Sequence, residues 1–267
     1  MKRLTERFLI LLWLVVALAG CAGDGVPGAP GQPAEPITES DEPETRKRAR
    51  IRTELAGNYF EQGQTTVALD EIKQALAADP NYPQAYNLRG LVYLQLNEPV
   101  LAESSFRRAL QLDARDGDAM HNLAWLWCQQ GRYPQSLEQF GRALATPGYT
   151  NAARTWMAQG VCQVRAGQLP EAERSLTRAF ELDAGNPITM YNLASLLLRR
   201  GDLPKAQFIA RRLNGSDLAN AESLWLGIRI ERRLGNRDGM RLLSEQLRQR
   251  FPNSPEWGRF QRGAFDD

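Results

Sequence analysis

Three cysteines and one histidine are the residues of this chain best suited to nucleophilic or metal chemistry. A single histidine, His121, cannot supply a site with several imidazole ligands, and the sequence has no Cys-x-x-Cys or Gly-x-Ser-x-Gly motif. A lone histidine on a helix is most often structural or exposed. We therefore expect neither a bound metal nor a catalytic role for His121.

Two further patterns imitate active sites without the surroundings that such sites need. Gly23, Gly25 and Gly28 have the spacing of a dinucleotide-binding loop, but the sequence predicts no strand before them and no helix after them. The carboxylates are scattered among arginines, as on solvated helix surfaces. The sequence therefore predicts that the chain is not an enzyme and uses no cofactor and no small-molecule substrate.

Cys21 ends a segment that is typical of a bacterial secretion signal. A basic leader precedes Phe8–Leu18, an apolar run that is too short to cross a bilayer as a helix. Leu18-Ala19-Gly20-Cys21 resembles a lipobox, in which small residues admit the signal peptidase and the cysteine thiol takes the diacylglycerol. We expect cleavage of residues 1–20 and lipidation of Cys21. The alternative is an uncleaved anchor with an incidental cysteine.

The expected cleavage bears on charge and compartment. Removing residues 1–20 takes away three positive charges and one negative charge, so the net charge falls from +2 to 0. Charge then gives no support for nucleic-acid binding. Ala22 follows the cysteine, which favours lipid anchoring on the periplasmic face of the outer membrane. Residues 21–48 are rich in Pro, Gly, Ala and Glu, so we expect a disordered tether there.

The rest of the sequence repeats itself around a loop position. Aligning the chain on this position gives successive steps of 34, 34, 36, 34 and 34 residues. Gly and Asn enter the left-handed conformation at little cost, as a tight turn between two helices requires. The loop position is occupied by Gly63, Asn97, Gly131, Gly167, Gly201 and Gly235.

Small and large side chains also recur at fixed distances from this turn. Two helices can cross closely only where small side chains meet, and large apolar groups fill the space around them. The pattern matches the tetratricopeptide repeat and predicts an all-α fold, a right-handed α-solenoid of six repeats over residues 49–254, followed by a tail at 255–267. The predicted repeats are 49–82, 83–116, 117–150, 153–186, 187–220 and 221–254.

Cys128 and Cys162 lie 34 residues apart, in the predicted first helices of the third and fourth repeats. First helices of neighbouring repeats pack side by side, so the two thiols can meet. In an oxidising compartment we expect a disulfide between them. The alternative is a pair of buried, reduced thiols, because free cysteine is commonly buried.

The predicted first helices line a concave groove, where we expect a protein partner to bind. The middle of this groove is apolar and aromatic, and its C-terminal end is basic; such groups are typical protein-binding anchors. The alternative for each residue is a place in the core between repeats. The predicted groove residues are Asn87, Leu91, Leu94, His121, Trp125, Met157, Val161, Tyr191, Trp225 and Arg229.

Several segments resemble one family in particular. Residues 122–133, with the sequence Asn-Leu-Ala-Trp-Leu-Trp-Cys-Gln-Gln-Gly-Arg-Tyr, are similar to the third repeat of the type IV pilus biogenesis lipoproteins of the PilF/PilW type. Pro147-Gly148-Tyr149 and Gly160-Val161-Cys162 are similar to the segments that follow it. The sequence departs from the pattern at Arg89, where a repeat more often has an apolar residue, and in the length of its acidic tether.

The resemblance implies a pilotin, a lipoprotein that brings subunits of the pilus secretin to the outer membrane and supports their multimerisation. In that reading the lipid retains the protein at the membrane, the tether gives reach and the groove binds the secretin. The alternative function is a periplasmic repeat adaptor for the machinery of barrel assembly or cell-wall synthesis.

Overall fold

The computed structural model describes residues 42–265, which contain thirteen α-helices and no β-strand. The chain divides into two units, Met1–Pro43 and Glu44–Asp267, and all the described helices lie in the second unit. The predicted signal, Cys21 and most of the predicted tether lie outside the described residues. The helices are α1 (Glu44–Glu61), α2 (Thr65–Ala78), α3 (Pro83–Gln95), α4 (Pro99–Leu112), α5 (Gly117–Gln129), α6 (Tyr133–Leu144), α7 (Ala152–Arg165), α8 (Leu169–Leu182), α9 (Pro187–Arg200), α10 (Leu203–Asn214), α11 (Ala221–Arg233), α12 (Arg237–Arg250) and α13 (Pro255–Gln261).

Helices α1 to α12 form six successive pairs, one for each repeat, which confirms the predicted all-α tetratricopeptide fold. Each first helix packs on its own second helix and on the first helix of the next repeat. Within the described residues, no two second helices contact each other. The first helices therefore lie on the inner side of the stack, and the second helices form its outer side.

The turn between the two helices of each repeat has the backbone that the sequence predicts. All six residues of the loop column have positive φ, between 60° for Asn97 and 81° for Gly201. In the first repeat, the amide of Gln64 donates to the carbonyl of Tyr59 and the amide of Gly63 donates to that of Phe60. This pattern of hydrogen bonds closes the C-terminus of the first helix around a left-handed residue.

The packing between paired helices depends on small residues facing large ones. Gly90 lies against Phe106 so closely that a Cβ at residue 90 would overlap the ring. Gly160 has the same relation to Leu176, whose Cγ would lie 2.6 Å from a Cβ at residue 160. Both large side chains are fully buried, so the small residues set how closely the helices approach.

One predicted boundary differs from the structure, and the predicted tail contains a helix. The last residues of the predicted tether belong to α1, which begins at Glu44 and places Ala49 in a core cluster with Ala75 and Ala85. The predicted tail contains α13, whose first turn has Ser254 as N-cap and Pro255 after it. Pro is favoured in the first turn of a helix because its missing N–H has no partner there in any case.

Candidate partner-binding surface

The middle of the inner face is an apolar strip on α7 and α9. Met157, Val161, Val164 and Tyr191 are all half-buried and pack against one core cluster between these helices. Each side chain therefore supports the core with one side and leaves the other open to solvent. The structure thus brings the predicted groove residues Met157, Val161 and Tyr191 together in one patch, with Val164 beside them.

Trp125 extends the apolar strip onto α5. Its ring is half-buried against the cluster that contains Cys128 and Phe140. The guanidinium of Arg165 lies 5.3 Å from the centroid of the Trp125 ring, within the range of a cation–π interaction. A large aromatic surface held in this way loses little conformational freedom on binding, which suits a partner contact.

The N-terminal part of the inner face combines apolar and amide groups. Leu91 and Leu94 of α3 are half-buried against the cluster around Phe106. Asn87 Oδ1 accepts a hydrogen bond from Asn122 Nδ2 at 3.0 Å. Arg154 Nη2 in turn donates to Asn122 Oδ1 at 3.4 Å, so polar side chains link α3, α5 and α7 across this face.

His121, a predicted groove residue, is buried and is not part of the surface. Its Nδ1 lies 2.8 Å from Thr155 Oγ1, and its ring meets the ring of Phe140 edge-on at 5.6 Å. Burial, followed by the nearby charge of Arg154, lowers the pKa of His121 to about 3. The imidazole is therefore neutral near pH 7 and serves the packing between the third and fourth repeats.

Tyr149, in the loop between α6 and α7, packs beside the contact of His121 with Thr155. Its ring lies so close to Gly117 that a Cβ there would be 2.5 Å from the ring. Its hydroxyl is 2.8 Å from Thr155 Oγ1 and donates weakly to Asp118 Oδ1 at 3.4 Å. Burial raises the pKa of Tyr149 to about 12, so this hydroxyl keeps its proton.

Cys128 of α5 and Cys162 of α7 form a disulfide in the structure, with Cα atoms 5.8 Å apart. Both residues are buried. Ser136 lies beside the bridge, because its Oγ donates to the carbonyl of Ala124 at 2.7 Å and lies 3.4 Å from Cys162 Sγ. The bridge fixes the first helices of the third and fourth repeats directly beneath Trp125.

Trp225, the second predicted aromatic anchor, is also covered. It is 6% exposed because the ring of Phe265 stacks on it at 5.3 Å. Phe265 follows α13, and the left-handed Gly263 turns the chain back toward α11. The repeat pattern contains no position for Phe265, although Ser254-Pro255-Glu256 is a recognisable helix start.

The basic end of the inner face is a cleft of about 520 Å³ lined by Leu198, Arg229, Arg232, Arg233 and Phe265. Arg229 was predicted here from the sequence, whereas Leu198, Arg233 and Phe265 were not. The guanidinium of Arg232 lies 4.2 Å from the centroid of the Phe265 ring. The cleft thus combines an aromatic group with a cluster of positive charge.

The outer face carries a separate apolar cleft of about 450 Å³ between α8 and α10. Phe208 lines it and is 64% exposed, and Phe180, Leu197 and Ile209 also face it. The sequence analysis placed the binding groove on first helices and so did not include this cleft, because Phe180, Phe208 and Ile209 belong to second helices. It provides an aromatic side chain on the opposite side from Trp125.

One carboxylate departs from the expected solvated pattern. Glu231 is 2% exposed and accepts hydrogen bonds from Gln207 at 2.7 Å, Arg211 at 3.0 Å and Asn236 at 2.7 Å. Two donors from α10 and one from Asn236, the N-cap residue of α12, therefore saturate this carboxylate of α11, which suits a role in joining α10, α11 and α12 rather than in proton transfer.

The part of the chain that the structure describes contains no group of three or more His, Cys, Asp or Glu placed to hold a metal ion. It also contains no helix with the length and apolar character needed to cross a membrane.

Comparison with known proteins agrees with this architecture. Sequence profiles of the tetratricopeptide repeat match residues 53–119, 117–146 and 163–224. The chain is 25% identical to the type IV pilus assembly protein PilF of Pseudomonas aeruginosa over 259 residues, which is 97% of this chain and 99% of that protein.

Two solved structures also align with most of the chain. The crystal structure of PilW, a widely conserved type IV pilus biogenesis factor, superposes with a TM-score of 0.74 and 28% identity over 80% of this chain and 98% of that one. The structure of Pseudomonas aeruginosa PilF gives a TM-score of 0.75 and 24% identity over 83% of this chain and all of that one. The chain is therefore a tetratricopeptide-repeat protein of the type IV pilus biogenesis family, homologous to PilF and structurally similar to PilW.

Proposed function

We propose that this protein is a pilotin: a lipoprotein of the outer membrane whose repeats bind subunits of the type IV pilus secretin and support their multimerisation. The observation that carries the proposal is the match to PilF over 97% of this chain, with 99% of PilF covered. A match of this extent includes residues before the repeats as well as the repeats themselves, which supports a function shared by the whole chain.

The inner face supports binding of a protein segment by its chemistry. Trp125, Met157 and Tyr191 present apolar surface on rigid helices, flanked by the partly exposed amide group of Asn87. Apolar anchors surrounded by hydrogen-bonding groups are the usual composition of a protein interface. A partner segment lying along the first helices would bury the open sides of the anchors. Its backbone would form hydrogen bonds with the side-chain amide beside them.

The proposed lipid at Cys21 would localise the interaction to the outer membrane. A lipid anchor holds the repeats near the outer membrane, and a proline-rich tether of residues 21–48, shortened by the start of α1 at Glu44, gives them reach. Tethering raises the effective concentration of the bound partner at the membrane without any new contact. Delivery and multimerisation therefore both depend on Cys21 in this proposal.

The test is a semi-denaturing immunoblot of the pilus secretin in fractionated membranes of strains with and without this gene. We expect deletion to abolish the outer-membrane multimer and the wild-type gene to restore it. A Cys21→Ala gene should fail to restore it although the repeats are intact. An unchanged multimer in the deletion strain would refute the pilotin role, and envelope defects with normal pili would favour the alternative adaptor for barrel assembly or cell-wall synthesis.

A matched pair of aromatic substitutions tests the inner face. Trp125→Ala removes an inner-face anchor, whereas Phe208→Ala removes an exposed ring from the outer face. We expect the first to reduce secretin binding at least tenfold in a pull-down titration and the second to leave it within twofold. Near-ultraviolet circular dichroism and protein abundance must match the wild type for both variants. The reverse ranking would place the binding surface on the outer face.

A further inference from the structure

One wall of the basic cleft at the C-terminal end of the inner face is formed by an aromatic side chain, that of Phe265. Phe265 stacks on Trp225 with centroids 5.3 Å apart and an angle of 22° between the rings. The ring of Phe260 meets it edge-on at 5.9 Å, and the guanidinium of Arg232 lies over it at 4.2 Å. Phe265 is thus bound on several sides by groups that select a planar ring.

The backbone that delivers Phe265 to this place is a defined turn. Gly263 has a φ of +66°, and the amide of Ala264 donates to the carbonyl of Arg259 at 3.0 Å while that of Gly263 donates to Phe260 at 3.0 Å. This motif ends α13 and reverses the chain. Phe265 therefore reaches the cleft after a single turn, on a short segment with few other contacts.

The charges around the ring are of one sign. Arg229, Arg232 and Arg233 line the cleft, and among residues 42–265 no carboxylate forms an ion pair with Arg229 or Arg233. The two residues that follow Phe265 in the sequence are Asp266 and Asp267, which lie outside the described residues. An aromatic residue followed by two carboxylates is complementary to this cleft in both shape and charge.

Arginines in the last turn of a helix also have a purely local role, because positive charge there interacts favourably with the helix dipole. That role accounts for Arg232 and Arg233 at the end of α11 but predicts nothing about a ring among them. The stacking of Phe265, a wall residue of the cleft, on Trp225 is a second and independent observation.

We propose that this cleft is a peptide-binding site for an aromatic residue followed by carboxylates, and that the chain's own segment Phe265–Asp267 competes with such a segment of a partner protein. The inference deepens the proposed function and rests on it only in assigning the occupant to a protein partner. Phe265–Asp267, which we call the self-segment, acts as a competitor. A short stretch of chain links it to the cleft, so its effective concentration there is in the millimolar range. A partner segment must outcompete it to fill the cleft.

The first experiment measures binding of a fluorescein-labelled peptide with the sequence Gly-Ala-Phe-Asp-Asp and an amidated C-terminus, by fluorescence anisotropy. The proteins are the full-length chain and a full-length variant, called the vacated variant, which carries Phe265→Ala, Asp266→Asn and Asp267→Asn and so lacks the ring and the charges of the competing segment. For a peptide with a Kd on the order of 0.1 mM, a competitor at an effective concentration of about 1 mM weakens apparent binding roughly tenfold. We therefore expect the variant to bind the peptide about tenfold more tightly than the wild type.

Two controls separate the contribution of the aromatic ring to peptide affinity from that of the charges. A peptide with both aspartates replaced by asparagine, or with the phenylalanine replaced by alanine, should bind the vacated variant at least tenfold more weakly. Adding Arg229→Gln and Arg233→Gln to that variant should have the same effect, whereas Arg241→Gln, on the exposed surface of α12, should change Kd less than twofold. A full-length Asp266→Asn/Asp267→Asn variant keeps the Phe265 ring and therefore controls for the case in which loss of the ring disturbs folding. We expect this variant to bind the acidic peptide more tightly than the wild type.

The inference fails if the vacated variant shows no binding up to millimolar peptide, if wild type and variant bind equally, or if the neutral peptide binds as well as the acidic one. These outcomes are independent of the secretin. A secretin multimer that needs this gene, combined with no peptide binding, overturns the inference and leaves the pilotin role standing. Peptide binding combined with a secretin multimer that is unaffected by gene deletion supports the inference and refutes the pilotin role.

Discussion

The disulfide between Cys128 and Cys162 gives a prediction whose size follows from the chain. The bridge closes a loop with a sequence separation of 34 residues. In the chain-entropy description, a loop of this length restricts the unfolded state by about 3–4 kcal/mol, between the values for 15 and 100 residues. We therefore expect the oxidised protein to be about 3–4 kcal/mol more stable than the reduced one.

The assay is urea unfolding followed by tryptophan fluorescence on three samples: oxidised wild type, reduced wild type, and a Cys128→Ala/Cys162→Ala variant. Reduced wild type keeps both sulfur atoms, so its loss of stability reports the cross-link alone. The variant also loses packing in a buried cluster and should be less stable than reduced wild type by about 1 kcal/mol. All three samples should stay folded without urea, because cysteine and alanine are both tolerated in an apolar interior.

The location of the effect can be tested as well as its size. The bridge joins α5 to α7, so hydrogen exchange measured by mass spectrometry should show faster opening of α5 to α8 after reduction, with α1 and α2 unchanged. A difference below about 1 kcal/mol between oxidised and reduced wild type would refute the chain-entropy argument. Equal acceleration along the whole stack would show that the repeats open as one unit.

Three further predictions follow from single side chains and share the same unfolding assay. Gly160→Ala should cost about 1–3 kcal/mol because the new Cβ meets Leu176 at 2.6 Å, whereas Gly141→Ala, on an open helix surface, should stabilise by about 0.5–1 kcal/mol. Gly201→Ala should cost about 1–2 kcal/mol through its φ of +81° alone, since nothing lies within 4 Å of the new Cβ; a cost as large as that of a core cavity would contradict this reading. The folded pKa of His121 is lowered to about 3. Only the unfolded state takes up its proton as the pH falls through about 6.5, so stability is lost from there down to about pH 3, by up to about 1.4 kcal/mol per pH unit. His121→Gln should remove this slope between pH 5 and 6.5, and an unchanged slope would assign the acid sensitivity to other groups.

The repeat fold was predictable because its determinants recur. A left-handed residue is needed once in every repeat, and a small residue is needed wherever two paired helices cross, so both give columns that can be read from one sequence. Gly160 against Leu176 and Gly201 at its turn are particular cases of these rules. The pattern also placed both cysteines on adjacent first helices, which are the helices that the structure joins through their disulfide.

The groove was predicted less completely, and its two errors have one cause. Repeat position alone assigned His121 and Trp225 to the open inner face, but both are buried. His121 lies against Thr155, which also contacts Tyr149, and Trp225 is covered by Phe265. Tyr149 lies in the loop between the third and fourth repeats, where the 34-residue period gains two residues, and Phe265 lies after the last repeat. A rule based on position within a repeat contains no information about residues that the repeat does not include.

These non-repeat residues also decide where the binding surface is rigid. The junction of the third and fourth repeats holds the disulfide, the contact of His121 with Thr155 and the packing of Tyr149 on Gly117. A surface that is already fixed loses less entropy when a partner binds, so Trp125 and its neighbours at this junction are the best placed anchors of the inner face. The C-terminal cleft is the opposite case in our proposal, because its wall residue Phe265 lies on a short segment that a competing ligand displaces. The inner face thus combines a preorganised centre with an exchangeable end, and the residues that make the difference are those that depart from the repeat.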